Sequence, residues 1–234
     1  MRSTIGAIFA AALVLGLSAG AQAGTITYGP TLHDNGGPPF YLGSSVGTFE
    51  VPQFLAGPDD ILTSVLLRVK VESYDGKHSF DNEDWSWAGT VSLGIGAQVG
   101  VKGPAPVGGS RLIVNPIATE TASGHVDADN DSSADFIGTD AFSITGHYAA
   151  DTKADSRTSD ADLAPYIGAG DVTFEFDGGT STAGTGALPM GADWVIYPTY
   201  KFTTTVEYTY TPEPATLSLL ALGGLLAMRR RRGK

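Results

Sequence analysis

The residues best suited to chemistry in this chain are aspartates that alternate with other residues in one polar segment, VDADNDSSAD. They are Asp127, Asp129, Asp131 and Asp135. Carboxylates on alternate residues of a tight loop can direct their oxygens at one hard cation, as in calcium loops that begin DxDxD. The sixth position is Ser132 and the twelfth is Gly138, so the glycine and the bidentate glutamate of an EF-hand are missing. The pattern therefore leaves two interpretations, a Ca²⁺ site and a solvated acidic loop.

Two tryptophans form a second candidate site. Trp85 and Trp87 follow a run of acidic and amide residues at 81–84. In an extended chain, residues two apart point to the same face, so the two rings could stack together on a sugar. The same spacing suits two rings that cover a sheet. A glycan-stacking site and a share of the hydrophobic core are the two interpretations.

The sequence carries no recognisable catalytic signature. Its four histidines, His33, His78, His125 and His147, lack the HExxH spacing of zinc enzymes. The pattern GxSxG occurs twice, at 16–20 in the predicted signal peptide and at 43–47 ahead of a predicted strand, so neither match has the strand–turn–helix context of a hydrolase elbow. The sequence contains no cysteine, so a thiol nucleophile and disulfides are excluded. We therefore predict a protein that is not an enzyme and requires no cofactor, with Ca²⁺ as the one candidate ion.

Period-two alternation of apolar and polar residues predicts the strands that carry these segments. It is clear at residues 64–72, 90–101, 171–177 and 199–209, and weaker at 47–51, 111–114 and 141–148. Residues 160–166 suit one helical turn, and residues 75–87, 124–135 and 177–191 are predicted to be loops. Alternating strands separated by glycine- and proline-rich turns favour an all-β antiparallel sandwich, jelly-roll or immunoglobulin-like, with a closed barrel as the alternative.

The N-terminal segment has the pattern of a secretory signal peptide. Arg2 supplies a positive charge, residues 5–17 are mostly apolar, and Ala21 and Ala23 form a small-residue cleavage site before Gly24. A transmembrane helix is the alternative, but the apolar stretch is short for one. We expect signal peptidase to remove residues 1–23.

The C-terminal segment combines a short motif, an apolar stretch and a basic tail. Pro212, Glu213 and Pro214 precede 14 uncharged residues, 215–228, which as a helix would reach roughly 21 Å across a hydrocarbon core about 30 Å thick. A run of arginines follows, at Arg229, Arg230, Arg231 and Arg232. By the positive-inside tendency these cations stay in the cytoplasm and act as a membrane stop. A short C-terminal transmembrane helix is predicted, with the bulk of the chain outside.

Charge limits the partners of the segment between these two signals. Between residues 24 and 214 lie eight cations and all 25 acidic residues, which gives a net charge of about −17. Such a surface repels phosphate backbones and anionic lipid, so nucleic acid is excluded as a partner. Cations and neutral polymers are the partners that this charge allows.

The C-terminal arrangement resembles the PEP-CTERM sorting signal of Gram-negative bacteria. In that family an exosortase recognises Pro-Glu-Pro, removes the helix and passes the protein to the cell surface. The resemblance implies transient inner-membrane anchoring, processing at residues 212–214, and a final place at the surface or in an extracellular matrix. An ordinary C-terminal anchor is the alternative.

The rest of the chain resembles the choice-of-anchor E domain, a family of secreted bacterial β-domains. The segments that carry this resemblance are TITYGPTL, VPQF, LTSVLLRV, FIGTDAFSITG, LAPYIGAGDVTFEF and TTTVEYTYTPEP. The resemblance spans most of residues 24–211 and departs most between residues 74 and 138. The resemblance implies an exported location and transfers no catalytic residue. We predict a structural protein associated with exopolysaccharide or biofilm. A secreted glycan- or calcium-binding module is the alternative function, and a secreted hydrolase comes third.

Overall fold

The computed structural model describes residues 23–34, 45–57, 60–130, 134–185 and 191–212. Within these ranges the chain forms twelve strands, one short α-helix and one 3-10 turn. The strands are β1 (Gly24–Asp34), β2 (Ser45–Pro52), β3 (Asp60–Tyr74), β4 (Lys77–Asn82), β5 (Gly89–Lys102), β6 (Ile113–Val114), β7 (Ile117–Val126), β8 (Ala141–Thr145), β9 (Tyr148–Arg157), β10 (Asp171–Thr185), β11 (Gly191–Ile196) and β12 (Thr199–Pro212). The helix α1 (Asp160–Leu163) runs into the 3-10 turn Ala164–Tyr166.

The long strands pair in a nested order. β1 pairs with β12, β2 with β10, β3 with β9 and β5 with β7, each time antiparallel. Pairing of β12 with β3 joins the first sheet, β1-β12-β3-β9, and pairing of β10 with β5 joins the second, β2-β10-β5 with β6 and β7 beyond. The third sheet has the order β11-β4-β8. The prediction of an all-β antiparallel fold is confirmed.

The first and second sheets pack face to face around the larger hydrophobic core. On β3, Val65, Leu67, Val69 and Val71 are fully buried, and the intervening side chains face outward. The inner residues of β12 and the C-terminal half of β5 complete the same cluster. Strict alternation places every second side chain on one face, so each strand buries its apolar half against the opposite sheet.

Strand β5 serves two cores at once. Its C-terminal half contributes Ala97, Val99 and Val101 to the larger core, while its N-terminal half contributes Val91 and Leu93 to a smaller one. The smaller core is completed by side chains of the third sheet and of β7, chiefly Phe80, Val126 and Ile144. The third sheet therefore continues the layer of the first sheet above the same long strand.

Side chains of β9 close one side of the sandwich. Four alternate residues bind the backbone of the segment that contains β6: Asp151 accepts from the N–H of Ile117 (2.9 Å), Lys153 donates to the carbonyl of Asn115 (3.0 Å), Asp155 accepts from the N–H of Ile113 (3.0 Å), and Arg157 donates to the carbonyl of Arg111 (2.6 Å). We call this set the side-chain ladder. It satisfies backbone groups that a sheet edge would otherwise leave unpaired.

The four clearly alternating segments are confirmed as strands, and β10 and β12 extend further than predicted. The helical turn at 160–166 is confirmed. The loop prediction for residues 75–87 is wrong, because the segment contains β4, whose side chains are buried on both faces and hence do not alternate. The loop prediction for 177–191 is also wrong, because β10 continues to Thr185 on glycine and hydroxyl residues. The 124–135 segment begins with the end of β7.

The predicted signal peptide and C-terminal helix fall mostly on residues outside the described ranges. In the part of the chain that the structure describes, no helix is long and apolar enough to cross a membrane. The predicted membrane segment at 215–228 lies beyond that part, as do Ala21 and the arginines at 229–232.

Candidate functional site

Two of the predicted sites come together in space. The tryptophans lie in the loop between β4 and β5, and the aspartates lie in the loop between β7 and β8. The N–H of Asp129 donates to the carbonyl of Asp84 at 3.1 Å, which joins one loop to the other. We call this pair of loops, residues 83–88 and 127–140, the double loop.

Asn82, the last residue of β4, holds the double loop together. Its buried side-chain amide donates to the carbonyls of Trp87 (2.7 Å) and Asp127 (2.6 Å). Its backbone N–H donates to the carbonyl of Asp140 at 3.0 Å, and its Oδ1 accepts from the N–H of Asp84 at 3.1 Å. One buried amide therefore fixes both loops through their backbones, independently of the loop side chains.

Two buried carboxylates lie beneath the 127–140 loop. Asp81 accepts from the N–H of Phe136 at 2.6 Å, and Asp140 accepts from the N–H of Asn130 at 3.4 Å. Both residues are 2 % exposed. Burial of a carboxylate is costly unless hydrogen bonds compensate it, so backbone N–H groups of the loop converge on these two side chains. Sequence patterns did not distinguish Asp81 and Asp140 from the exposed acidic residues around them.

The predicted metal ligands are spread along the loop. Asp127 is exposed and its Oδ1 lies 3.5 Å from Nε2 of His125, while Oδ1 of Asp135 accepts from the N–H of Ile137 at 2.9 Å. Asp131 lies outside the described residues. Among the residues that are described, no three acidic or histidine side chains lie close enough to hold a metal ion. The Ca²⁺ site stays a prediction.

The two tryptophans do not share a face, because the chain turns between them. The N–H of Trp87 donates to the carbonyl of Asp84 at 3.3 Å, which closes a four-residue turn. Trp85 is 78 % exposed, whereas Trp87 packs partly buried against the smaller core. The assumption of an extended chain at 85–87 is wrong, and Trp85 alone of the pair presents its ring to solvent, beside an open hollow that Glu83 and Ser86 also line.

The carboxylate of Asp84 organises the turn that presents Trp85. Its Oδ1 accepts from the hydroxyl of Ser86 at 2.7 Å and from the N–H of Ser86 at 2.8 Å. These hydrogen bonds, that of the Ser86 hydroxyl most of all, hold the pKa of Asp84 below its usual value. The hollow beside Trp85 therefore carries the negative charge of an ionised Asp84 at neutral pH.

A third tryptophan, which the sequence patterns did not single out, lies near the double loop. Trp194 on the edge strand β11 is 43 % exposed and packs against Phe136 with ring centroids 6.1 Å apart. The Nζ of Lys77 lies 4.7 Å from the centroid of the Trp194 ring, within reach of a cation–π interaction. Phe136 has a backbone φ of +59°, a conformation that a bulky residue adopts only when its surroundings hold it. The carboxylate of Asp81 and the ring of Trp194 supply that restraint.

A serine, a histidine and a glutamate form a hydrogen-bonded relay that resembles a catalytic triad in its distances. Nε2 of His147 lies 2.9 Å from the hydroxyl of Ser73, and Nδ1 lies 3.0 Å from the carboxylate of Glu120. Ser73 has no exposed surface, and His147 is 2 % exposed, whereas the Glu120 side chain is 43 % exposed. The hydroxyl is thus the deepest member, and a substrate cannot reach it. The relay is a buried structural network between β3 and β7.

His33 lies among phenylalanine rings at the opposite side of the sandwich. It stacks on Phe202 with centroids 4.5 Å apart, and its Nε2 lies 3.1 Å from the hydroxyl of Thr204. The rings of Phe49 and Phe176 lie 4.9 and 5.7 Å away. Burial lowers the pKa of His33, because an apolar environment disfavours the charged imidazolium.

The residues of the two processing signals meet at one end of the domain. Gly24 begins β1 and lies opposite Tyr210 in β12, and Pro212 ends β12 opposite Asp60 in β3. Glu213 and Pro214 lie outside the described residues. The first residue of the predicted sorting motif is thus part of the sheet.

No protein-family model matches the chain, and no curated protein matches it. Among solved structures, the chain is similar to the infectious bursal disease virus Gx strain (15 % identity, TM-score 0.18, covering 82 % of this chain and 38 % of that chain). It is also similar to the infectious bursal disease virus VP2 subviral particle (12 % identity, TM-score 0.23, covering 91 % of this chain and 51 % of that chain). The chain spans about half or less of the length of these structures. TM-scores this low carry no argument about function.

Proposed function

We propose that this protein is an exported structural component of the bacterial surface or extracellular matrix, which an exosortase processes at Pro212, Glu213 and Pro214. The observation that carries the proposal is the position of Pro212. The strand β12 includes Pro212, which pairs with Asp60, so the first residue of the motif directly adjoins the sheet. Removal of residues beyond the motif would leave every described strand intact.

Surface charge supports a matrix role. The segment between the two signals carries a net charge of about −17, which keeps a protein soluble and disfavours anionic polymers. Neutral exopolysaccharide and divalent cations are compatible partners. The Ser73–His147–Glu120 relay gives no support to a hydrolase, since its hydroxyl is inaccessible.

The strand order supports a jelly roll rather than an immunoglobulin-like sandwich. Four nested antiparallel pairs, β1 with β12, β2 with β10, β3 with β9 and β5 with β7, are what an eight-strand ribbon makes when it wraps into two sheets. We propose that β4, β8 and β11 are insertions into this framework, which together build the third sheet.

The decisive test is the mass and terminal sequence of the protein recovered from the cell surface or the medium. A chain that runs from Gly24 to the vicinity of Pro214 is the expected result. A chain that still ends at Lys234 would contradict exosortase processing and indicate an ordinary membrane anchor.

A variant with Glu213→Ala and Pro214→Ala tests the motif itself. Both positions follow the described sheet, so the substitutions leave its pairing untouched. We expect unprocessed protein to remain in the inner membrane. The matched control is Glu50→Ala, which removes an exposed carboxylate from β2 and leaves sorting unchanged. Normal release of the motif variant would contradict the proposal.

A second candidate function, a secreted Ca²⁺- or glycan-binding module, is favoured by the double loop. Asn82 fixes the backbones of both loops, and Asp127, Asp129 and the exposed ring of Trp85 lie on that fixed frame. Preorganised loops bind with less loss of conformational entropy than mobile ones. Calorimetric titration with Ca²⁺ should give binding heat that Asp127→Asn with Asp129→Asn abolishes. Asp171→Asn, at an exposed site on β10, is the control.

A further inference from the structure

Both chain ends of the folded domain emerge at the same pole. Gly24 pairs opposite Tyr210 and Pro212 opposite Asp60, at the end of the first sheet. The second sheet ends there too, because the hydroxyl of Tyr208 donates to the carbonyl of Pro52 at 3.1 Å. We call this end, with the adjoining residues 52–57, 60–61 and 165–171, the terminal pole.

The terminal pole carries exposed aliphatic side chains around the point where the chain leaves the fold. Ile61 is 52 % exposed and lies opposite Thr211 in the sheet. Leu55 is 71 % exposed and Ile167 is 46 % exposed. Phe54 connects these two, since it pairs with Ile167 and precedes Leu55, and its ring lies 5.3 Å from that of Tyr210. Ile61 therefore lies beside the final residues of β12, and Leu55 and Ile167 adjoin Phe54, whose ring faces Tyr210.

The distance from this pole to the predicted membrane segment is short. Glu213 and Pro214 are the only residues between Pro212 and Ala215, where the uncharged stretch begins. A fully extended connection from Pro212 to Ala215 spans at most roughly 11 Å. The interfacial region on each side of a bilayer is about 5–8 Å thick. An inserted segment would hold the terminal pole within or directly above the lipid headgroups.

We propose that the terminal pole rests on the lipid surface through Leu55, Ile61 and Ile167 for as long as the C-terminal segment anchors the chain. The proposal depends on the anchoring step of the proposed function. Because the tether is short, it keeps the pole at a high effective concentration near the lipid surface. Apolar side chains too few to bind a membrane alone therefore suffice for the contact. A bilayer is the surface in contact with this pole before processing, and processing releases it.

The shortness of the apolar segment strengthens the contact. Fourteen residues as a helix span about 21 Å, less than the hydrocarbon thickness of about 30 Å, and a short segment draws its flanking residues toward the bilayer. Acidic side chains limit the depth of contact: Asp60 and Asp171 stand at the same pole. These carboxylates would stay at headgroup level, so the expected contact is shallow and weaker on anionic lipid.

Single cysteines provide the test, since the chain contains none. Leu55→Cys, Ile61→Cys and Ile167→Cys in the full chain would carry the fluorophore NBD. Val46→Cys is the matched control, since Val46 is 75 % exposed but lies at the far end of β2, roughly 20 Å away. The proteins are reconstituted in phosphatidylcholine vesicles that contain headgroup-spin-labelled lipid, and flotation verifies that the chain is membrane-bound.

We expect the spin-labelled lipid to quench NBD at least twofold at positions 55, 61 and 167 and to leave position 46 unaffected. A chain that floats with the vesicles but shows no quenching at the three positions overturns the contact and leaves anchoring intact. NBD emission that is blue-shifted but not quenched would show that a second copy of the chain, and not lipid, covers the pole. That result also overturns the lipid contact. A chain that does not float contradicts the anchoring itself, and the contact with it.

Discussion

Single buried polar side chains set the geometry of the candidate site. Asn82 and the carboxylates of Asp81 and Asp140 all bind loop backbones. A backbone-directed network keeps its shape when exposed loop residues change. The exposed positions of the double loop are therefore free to vary in chemistry on a constant frame.

Replacement of Asn82 should show the strength of this frame. Asn82→Leu leaves the part-buried carbonyls of Trp87 and Asp127 without their donor, and unsatisfied buried groups cost about 1–3 kcal/mol each, so we expect a loss of about 2 kcal/mol in the free energy of unfolding. Chemical denaturation measures it. Asn115→Leu, at an exposed position, is the control and should change the free energy by less than about 0.5 kcal/mol. Equal effects of the two substitutions would contradict the role of Asn82.

His33 should make stability depend on pH. Its pKa is lowered in the fold by burial, so the unfolded chain takes up the proton first. The stability contributed by neutral His33 is complete above its unfolded pKa, near 6.5, and is lost as the pH falls through the lower pKa of the folded state. Urea denaturation between pH 7.5 and 5 should show this decline. His33→Phe, which keeps the stacked ring, should flatten it.

His125→Phe is the matched control for this pH dependence, because the His125 side chain is 63 % exposed. We expect it to leave the slope of stability against pH near the wild-type value. If His33→Phe does not alter the slope of stability against pH, groups other than His33 cause the loss of stability in acid.

Elements differ in how far the sequence reveals them. The inner faces of β3 and β12 were predictable, because alternation of apolar with polar residues directly follows burial on one side. β9 was not predictable, since its sequence YAADTKADSR is polar on both faces and its charged side chains bind the neighbouring backbone. The sequence did not reveal β4 for the opposite reason, because both of its faces are buried and its residues do not alternate.

The candidate site was predictable only in part. The acidic loop and the tryptophan loop each have a local pattern, but the contact that joins them connects Asn82 with Asp127, 45 residues apart. The burial of Asp81 and Asp140 depends on packing of the third sheet, for which the sequence gives no local signal. Only tertiary contacts distinguish these buried carboxylates from the solvated ones.

The side-chain ladder makes its own prediction at the scale of elements. Asp155→Ala removes the acceptor of the Ile113 N–H and the partner of Arg157, so we expect a loss of about 1–2 kcal/mol in the free energy of unfolding. Hydrogen exchange at the Ile113 amide should accelerate, because its hydrogen bond is lost. Thr152→Ala, at an exposed position on the same strand, is the control. Unchanged exchange at Ile113 in the Asp155 variant would contradict the ladder.

Acid should also weaken the ladder. Burial alone would raise the pKa of Asp155, but hydrogen bonds from Arg157 and the Ile113 N–H outweigh it and hold the pKa below its usual value. Asp155 therefore stabilises the fold above its unfolded pKa, near 3.9, and this contribution disappears as the pH falls through the lower folded pKa.

At the scale of the whole molecule, like-charge repulsion should be measurable. The full chain has a formal net charge of −11, and the segment between the signals about −17. Exposed ion pairs contribute little, so screening of the net repulsion should dominate the response to salt. We expect the melting temperature to rise between 10 and 150 mM NaCl, where the Debye length falls from about 30 to about 8 Å. A fall in melting temperature would show that attractive pairs dominate.

The pairing of the first strand with the last has a consequence for export. Gly24 pairs opposite Tyr210, so β1 has no partner in the described sheets until nearly all of the domain has been synthesised. Contacts between residues so distant along the chain form slowly, because the loop must close before it is stabilised. If the chain is exported as proposed, β1 therefore stays unpaired until β12 emerges from the translocation channel. A membrane segment that follows β12 by two residues would halt translocation at the moment when the sandwich can first close.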